Sequence, residues 1–318
     1  MAEISFCFYD CNKNKTVPES VICYELSRDI SAACDALRIT FKPQSALDEL
    51  KTVKAFNGEE LIFSGLVDTQ REAKDKNGST AFVYARSLAC LLVDNEAQPH
   101  TYNNPSVLAL FNKNAEEYGF VCRLENTVCN SAYRVPKGAS RYGAINSFVF
   151  SNTGRNIIVT PNGELTTDEG AKTVIIDNER IIYEKRIINR GDALSRIDYK
   201  NEGDKGYLRH IKSRFFEEKD IRRSKKLNLS SYPEWQRGNI LLNRIKAAGQ
   251  NYSKIELLIS GFVKAGLYAG AEYISSFGGS SKDYYISSVS HILGENGERT
   301  RITLNKNIDY KEINYVAE

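Results

Sequence analysis

A strand, a polar glycine-containing turn and a return strand occur in that order at both ends of this chain, and this plan limits its folds more than any other feature. Residues 61–68 (LIFSGLVD) and 80–84 (TAFVY) are short runs rich in β-branched and aromatic side chains, with Lys74-Asp75-Lys76-Asn77-Gly78 between them. An Asn-Gly step accepts the positive φ of a tight turn, so the segment predicts a β-hairpin. Residues 284–293 and 299–304 repeat the plan across Gly294-Glu295-Asn296-Gly297. The likeness is too slight for a sequence repeat, yet it allows two similar β-domains separated by an insertion.

Between the hairpins the apolar period changes. Residues 85–94 (ARSLACLLVD) switch to helical spacing. After the breaker-rich 99–105, Ser106 is placed to cap a helix with Val107, Leu108, Leu110, Phe111 and Ala115 on one side, and Gly119 ends it. Residues 120–122 predict a strand. Pro136-Lys137-Gly138-Ala139-Ser140 then precedes an amphipathic stretch with Ala144, Ile145, Phe148 and Val149, and 157–165 predict a strand with a tight turn. This middle part predicts an inserted α+β module. Strand character returns at 173–177, 181–186 and 254–263. Residues 200–206 predict a loop, and 235–250 a further helix with Ile240, Leu241, Ile245 and Ala248 on one side. The fold class that follows is β-rich α+β.

Composition narrows the function. A chain of 318 residues suits two or three domains, and 42 % hydrophobic residues supply packed cores. A net charge of +3 is small for a protein that binds nucleic acid by neutralising phosphates. No run approaches the roughly 18 apolar residues of a membrane-spanning helix. The start, Met1-Ala2-Glu3-Ile4-Ser5-Phe6, lacks the order of a signal peptide, so synthesis and folding in the cytoplasm are expected.

No reactive centre emerges. Seven cysteines (Cys7, Cys11, Cys23, Cys34, Cys90, Cys122, Cys129) are odd in number and irregular in spacing, which suits free thiols and not a disulfide framework. His100, His210 and His291 are scattered, whereas zinc needs convergent ligands. Glu59-Glu60, Glu116-Glu117 and Glu217-Glu218 are adjacent acids of the kind found on solvated surfaces, not acids facing each other across a sugar cleft. Gly278-Gly279-Ser280-Ser281 precedes a strand, whereas a phosphate loop opens a helix. The basic run Arg222-Arg223-Ser224-Lys225-Lys226 follows Glu217, Glu218 and Asp220, which blunt its field and suit a solvated loop or a charged protein interface. No catalytic, cofactor-binding or metal-binding residue is therefore assigned, no cofactor is expected, and the chain reads as a non-enzyme.

The order of units resembles the baseplate hub family of contractile tails, also called late-control D or tail hub proteins. The resemblance rests on 61–68, the hairpin after it, and Ala85-Arg86-Ser87-Leu88-Ala89-Cys90-Leu91-Leu92-Val93-Asp94, where the family often has Gly in place of Ala85. It continues through Asn104-Pro105-Ser106, Pro136-Lys137-Gly138-Ala139-Ser140 and 158–165. It ends with 266–273, 284–291 and 297–304.

The resemblance implies two tail-tube-like β-barrel domains, 1–98 and 173–318, around an inserted small α+β module, 99–172, of the peptidoglycan-binding, LysM-like sort. It implies a homotrimer whose barrels offer a quasi-sixfold ring to a hexameric tail tube and a threefold face to a trimeric spike. Further partners would be the tape-measure and baseplate wedge proteins, with no membrane and no specific nucleic acid. The particle would be a phage virion or a tailocin, with this chain in its baseplate. The alternative reading is a cell-wall-binding or cell-wall-degrading tail component, with the middle module as the adhesive part.

Overall fold

The computed structural model describes the chain apart from residues 1–3, 77, 130–131, 170–172, 231, 233, 279–280, 309–312 and 318. Asn77 of the expected Asn-Gly step and Gly279-Ser280 of the polar turn thus lie outside the described residues.

Eleven strands make the main sheet. They are β1 (Ile4–Asp10), β2 (Lys15–Thr16), β3 (Ser20–Asp29), β4 (Ala36–Lys42), β5 (Leu50–Asn57), β6 (Glu60–Asp75) and β7 (Gly78–Ser87). From the last part of the chain come β8 (Ile181–Ile188), β9 (Ser253–Ser260), β10 (Tyr284–Gly294) and β11 (Gly297–Lys306). Their order is β8-β9-β11-β10-β3-β4-β7-β6-β5-β1-β2, with every neighbour antiparallel. Both predicted hairpins are present, and the β-rich α+β class holds.

Alternation explains the strands. Leu37, Ile39 and Phe41 of β4 point inward, as do Ala81, Val83 and Ala85 of β7, while the residues between them are more exposed. Small side chains on β7 leave room for Phe6, Phe8 and Phe63, and Phe8 stacks on Phe41 with ring centres 5.3 Å apart. Gly65 lies opposite Ser87 of β7, and a Cβ there would run into the Arg86 carbonyl oxygen and lie 2.7 Å from the Phe63 ring, so the close approach of β6 to β7 excludes a side chain.

The last part of the chain has its own core of Leu257, Ile259, Ile286, Val289, Ile302 and Leu304. Pairing of β3 with β10, Asp29 opposite Ser288 through Tyr24 opposite Leu293, joins it to the first part. The ladder therefore runs unbroken through both expected β-units.

The middle of the chain packs helix α1 (Val107–Asn114) on α2 (Arg141–Thr153) around Leu110, Phe111, Ile145, Phe148 and Leu165. Ser106 caps α1 by accepting from Ala109 N at 3.1 Å, and Ser140 caps α2 by accepting from Gly143 N at 3.0 Å. The buried residues of α2 are the four expected, Ala144, Ile145, Phe148 and Val149.

Three local expectations need correction. The helix expected over 85–94 is a single turn, Cys90–Val93, because the inward side chains of Ala85 and Ser87 keep β7 running to Ser87. Leu108, expected on the buried side of α1, is 44 % exposed. The run Arg222–Lys226 is partly a strand, not a loop: Ser224–Asn228 pairs in parallel with Arg196–Lys200. That pair belongs to a four-stranded sheet with Arg209–Ser213 and Ile313–Ala317, against which helix α3 (Glu234–Gln250) packs Leu241 and Ile245. No described helix is long and apolar enough to cross a membrane.

Candidate assembly surface

β8 ends the large sheet. β9 takes one of its edges, and no described strand takes the other. Its sequence, IIYEKRII, is β-branched enough to hold an extended backbone but too apolar for an outer strand. Ile182, Tyr183 and Ile188 are 50, 52 and 52 % exposed. Nearby Ile175 and Ile274 reach 81 and 80 %. Ile182, Tyr183 and Ile274 line one groove of about 440 Å³. An unpaired edge beside grouped exposed aliphatics is the signature of a surface that another chain covers.

The groove is built by a carboxylate. Glu184 accepts from the Tyr273 hydroxyl at 3.0 Å, the Ser275 hydroxyl at 2.6 Å, and Ser276 through N at 2.9 Å and Oγ at 2.5 Å. Burial pushes the Glu184 pKa up, but these hydrogen bonds outweigh it and hold the group below the usual carboxylate range. Asn178 completes the wall, donating to Ile274 O at 2.5 Å and accepting from Ile274 N at 3.0 Å. Arg180 ties the start of β8 to Ser260 O and Phe262 O. The exposed residues are therefore held in place by a hydrogen-bonded frame.

At the other end, the two-residue β2 covers only Phe8 and Tyr9 of β1. The β6–β7 hairpin projects past its neighbours: β5 pairs with β6 as far as Leu66, and β4 pairs with β7 as far as Ala81. Gln70 steadies the base of this ribbon by accepting from Leu50 N at 2.9 Å.

A cleft of about 760 Å³ lies where the first, middle and last parts of the chain meet, and several of its charged groups are held in ion pairs or hydrogen bonds. Arg28 binds Asp35 at 3.0 Å and donates to both oxygens of Glu169, one of which also accepts from Leu267 N at 3.1 Å. His291 lies on Phe262, ring centres 4.3 Å apart, with Nδ1 3.3 Å from Thr300 Oγ1. Burial, reinforced by the charge of Arg28, pushes the His291 pKa down to about 4. This junction fastens three parts of one chain.

The remaining residues singled out in the sequence stay apart. Glu60 pairs with Lys264 at 2.6 Å, Glu117 with Arg141, Glu217 with Lys212 at 3.7 Å and Glu218 with Arg214 at 2.8 Å. His210 is buried on Arg209–Ser213, while His100 is exposed with its ring against Tyr102. None of the seven cysteines forms a disulfide; Cys7, Cys90 and Cys129 are buried and Cys11 is exposed. Among the described residues no three or more His, Cys, Asp or Glu side chains converge. Sequence reasoning missed Arg28, Glu169 and Glu184, whose roles arise from contacts about 90 to 140 residues away.

No protein-family model matches the chain, and no curated protein sequence is detectably similar to it. Solved structures do match. A tail protein from Neisseria meningitidis MC58 superposes with a TM-score of 0.74 at 14 % identity, over 96 % of this chain and 97 % of that one. The 43 kDa tail protein of prophage MuSo2 from Shewanella oneidensis gives 0.76 at 13 % identity, over 96 % and 100 %. This chain has the fold of phage tail proteins. The same fold extends to the E. coli c3393 protein, with a TM-score of 0.55 at 10 % identity over 90 % of this chain and 73 % of that one. That protein is described as a type VI secretion component structurally similar to the T4 tail proteins gp27 and gp5.

Proposed function

We propose that this chain is a structural hub subunit in the baseplate of a contractile phage tail or tailocin. It joins the hexameric tail tube to the trimeric central spike, and it does so by geometry without bond chemistry. The observation that carries the reading is the single sheet shared by two β-units, ending in the open, apolar β8 edge. In this reading residues 1–98 and 173–318 each curl around their own core as tube-like barrels, and residues 99–172 form a separate module. Three chains then give six β-units around an axis, matching a sixfold tube on one face and a threefold spike on the other. Edges that are hazards on a monomer are covered by neighbouring copies. The likeness of the E. coli c3393 protein to gp27 and gp5 supports the assignment.

The test is the mass of the purified chain in solution, alone and mixed with the spike of the same particle. Three times the chain mass of 35.8 kDa is expected in at least one condition. A monomer in both would overturn the hub reading.

A further inference from the structure

A second open edge differs in chemistry from β8. Ser224–Asn228 is the outer strand of the four-stranded sheet, paired on one side with Arg196–Lys200 and by no described strand on the other. Arg223 O accepts from Ser195 N at 3.0 Å and from Arg196 N at 3.3 Å, and Leu229 N donates to Lys200 O at 2.9 Å. Main-chain groups alternate sides along a strand, so Arg223, Lys225, Leu227 and Leu229 face the sheet while Ser224, Lys226 and Asn228 turn theirs outward. The outer side thus offers N–H donors and C=O acceptors at the spacing of another strand.

Its charge is equally one-sided. Residues 219–226 (KDIRRSKK) hold Lys219, Arg222, Arg223, Lys225 and Lys226 against the single acid Asp220. The nearby carboxylates are occupied: Asp198, beside Lys226 in the sheet, by Arg196 at 2.5 Å, Asp220 by Arg222 at 2.7 Å, Glu218 by Arg214 at 2.8 Å and Glu217 by Lys212 at 3.7 Å. Lys225 and Lys226 are exposed. Lys226 lies over the Tyr207 ring at 5.6 Å and shares it with Lys200 at 5.3 Å, which concentrates positive charge beside the edge.

We infer that Ser224–Asn228 is a docking edge for an extended acidic segment of a partner protein, which adds a strand there. The lysines repel the same edge of a second copy, since antiparallel self-pairing would set cation against cation, and they attract alternating carboxylates. Outward main-chain acceptors favour a peptide over nucleic acid, whose backbone phosphates carry no donors.

The full chain is titrated with three labelled probes: a Glu-Val repeat peptide, its Lys-Val counterpart and a short single-stranded DNA, with anisotropy as the readout. The Glu-Val peptide should bind roughly tenfold or more tightly than the Lys-Val peptide, and less tightly as salt rises. Lys226→Pro removes one outward N–H and no ladder bond, so it should weaken the Glu-Val peptide roughly tenfold. Unchanged binding by a folded Lys226→Pro chain would overturn strand addition. The double variant Lys225→Glu/Lys226→Glu changes only exposed side chains and carries the test if the proline variant does not fold: retained binding again overturns the proposal. DNA binding as tight as the Glu-Val peptide would also overturn it, in favour of a phosphate surface.

Discussion

The Tyr273 hydroxyl donates to Glu184 at 3.0 Å, so a buried ring in one loop is anchored to the sheet's outermost strand. Because Ser275 and Ser276 use the same carboxylate, Glu184→Ala should release residues 273–277 and strand several donors. A loss of about 1–3 kcal/mol is expected in urea unfolding, with faster amide exchange confined to this loop and β8. Exchange spread evenly over the chain would contradict the anchoring role.

Arg28 supplies the positive charge for two largely buried carboxylates, Asp35 and Glu169. Arg28→Ala leaves both unpaired, and a destabilisation of about 3–5 kcal/mol is expected. Adding Asp35→Asn and Glu169→Gln to that variant should restore part of the loss. Chemical denaturation of the parent, the single variant and the triple variant measures it.

His291 makes stability fall in mild acid. Its folded pKa of about 4 lies below the ordinary value of 6.5, so between these pH values the unfolded chain binds the proton and the folded chain does not. Stability contributed by the neutral ring is complete above about pH 6.5 and is lost as pH falls towards 4, by on the order of 3 kcal/mol in total. Comparing His291→Phe with the parent from pH 7 to pH 4 should show a shallower decline in the variant; equal slopes would remove His291 as the cause.

Ile182 and Ile188 are half exposed on the free edge of β8, so replacing both by Lys should leave the folded monomer within about 0.5 kcal/mol of the parent. Self-association should be abolished, because two ammonium groups would then have to be desolvated in the contact. Sedimentation velocity with thermal unfolding separates the outcomes: an unchanged oligomer places the contact elsewhere.

Local periodicity made much of this architecture legible. Both hairpins and the four buried residues of α2 follow from spacings of two and of three to four residues that adjacent side chains enforce, and Ser106 marks the start of α1 by its capping hydroxyl. The strict Leu37, Ile39, Phe41 alternation of β4 is a signal of the same kind, and it would have disclosed a strand not assigned from sequence.

What the amino-acid order determined alone was which segments could be strands or helices and which faces had to be hidden. Tertiary structure decided which edges meet. Ser224–Asn228 lacks β-branched residues and is a strand only because Arg196–Lys200 lies beside it. Likewise, nothing in residues 24–29 announces that 288–293 will pair with them, or that Arg28 will find Glu169. Hydrogen bonds between distant strands use the same backbone groups in every residue, so their partners leave no local mark. They are selected by the cores on either side, and the exposed β8 edge is what that selection leaves over.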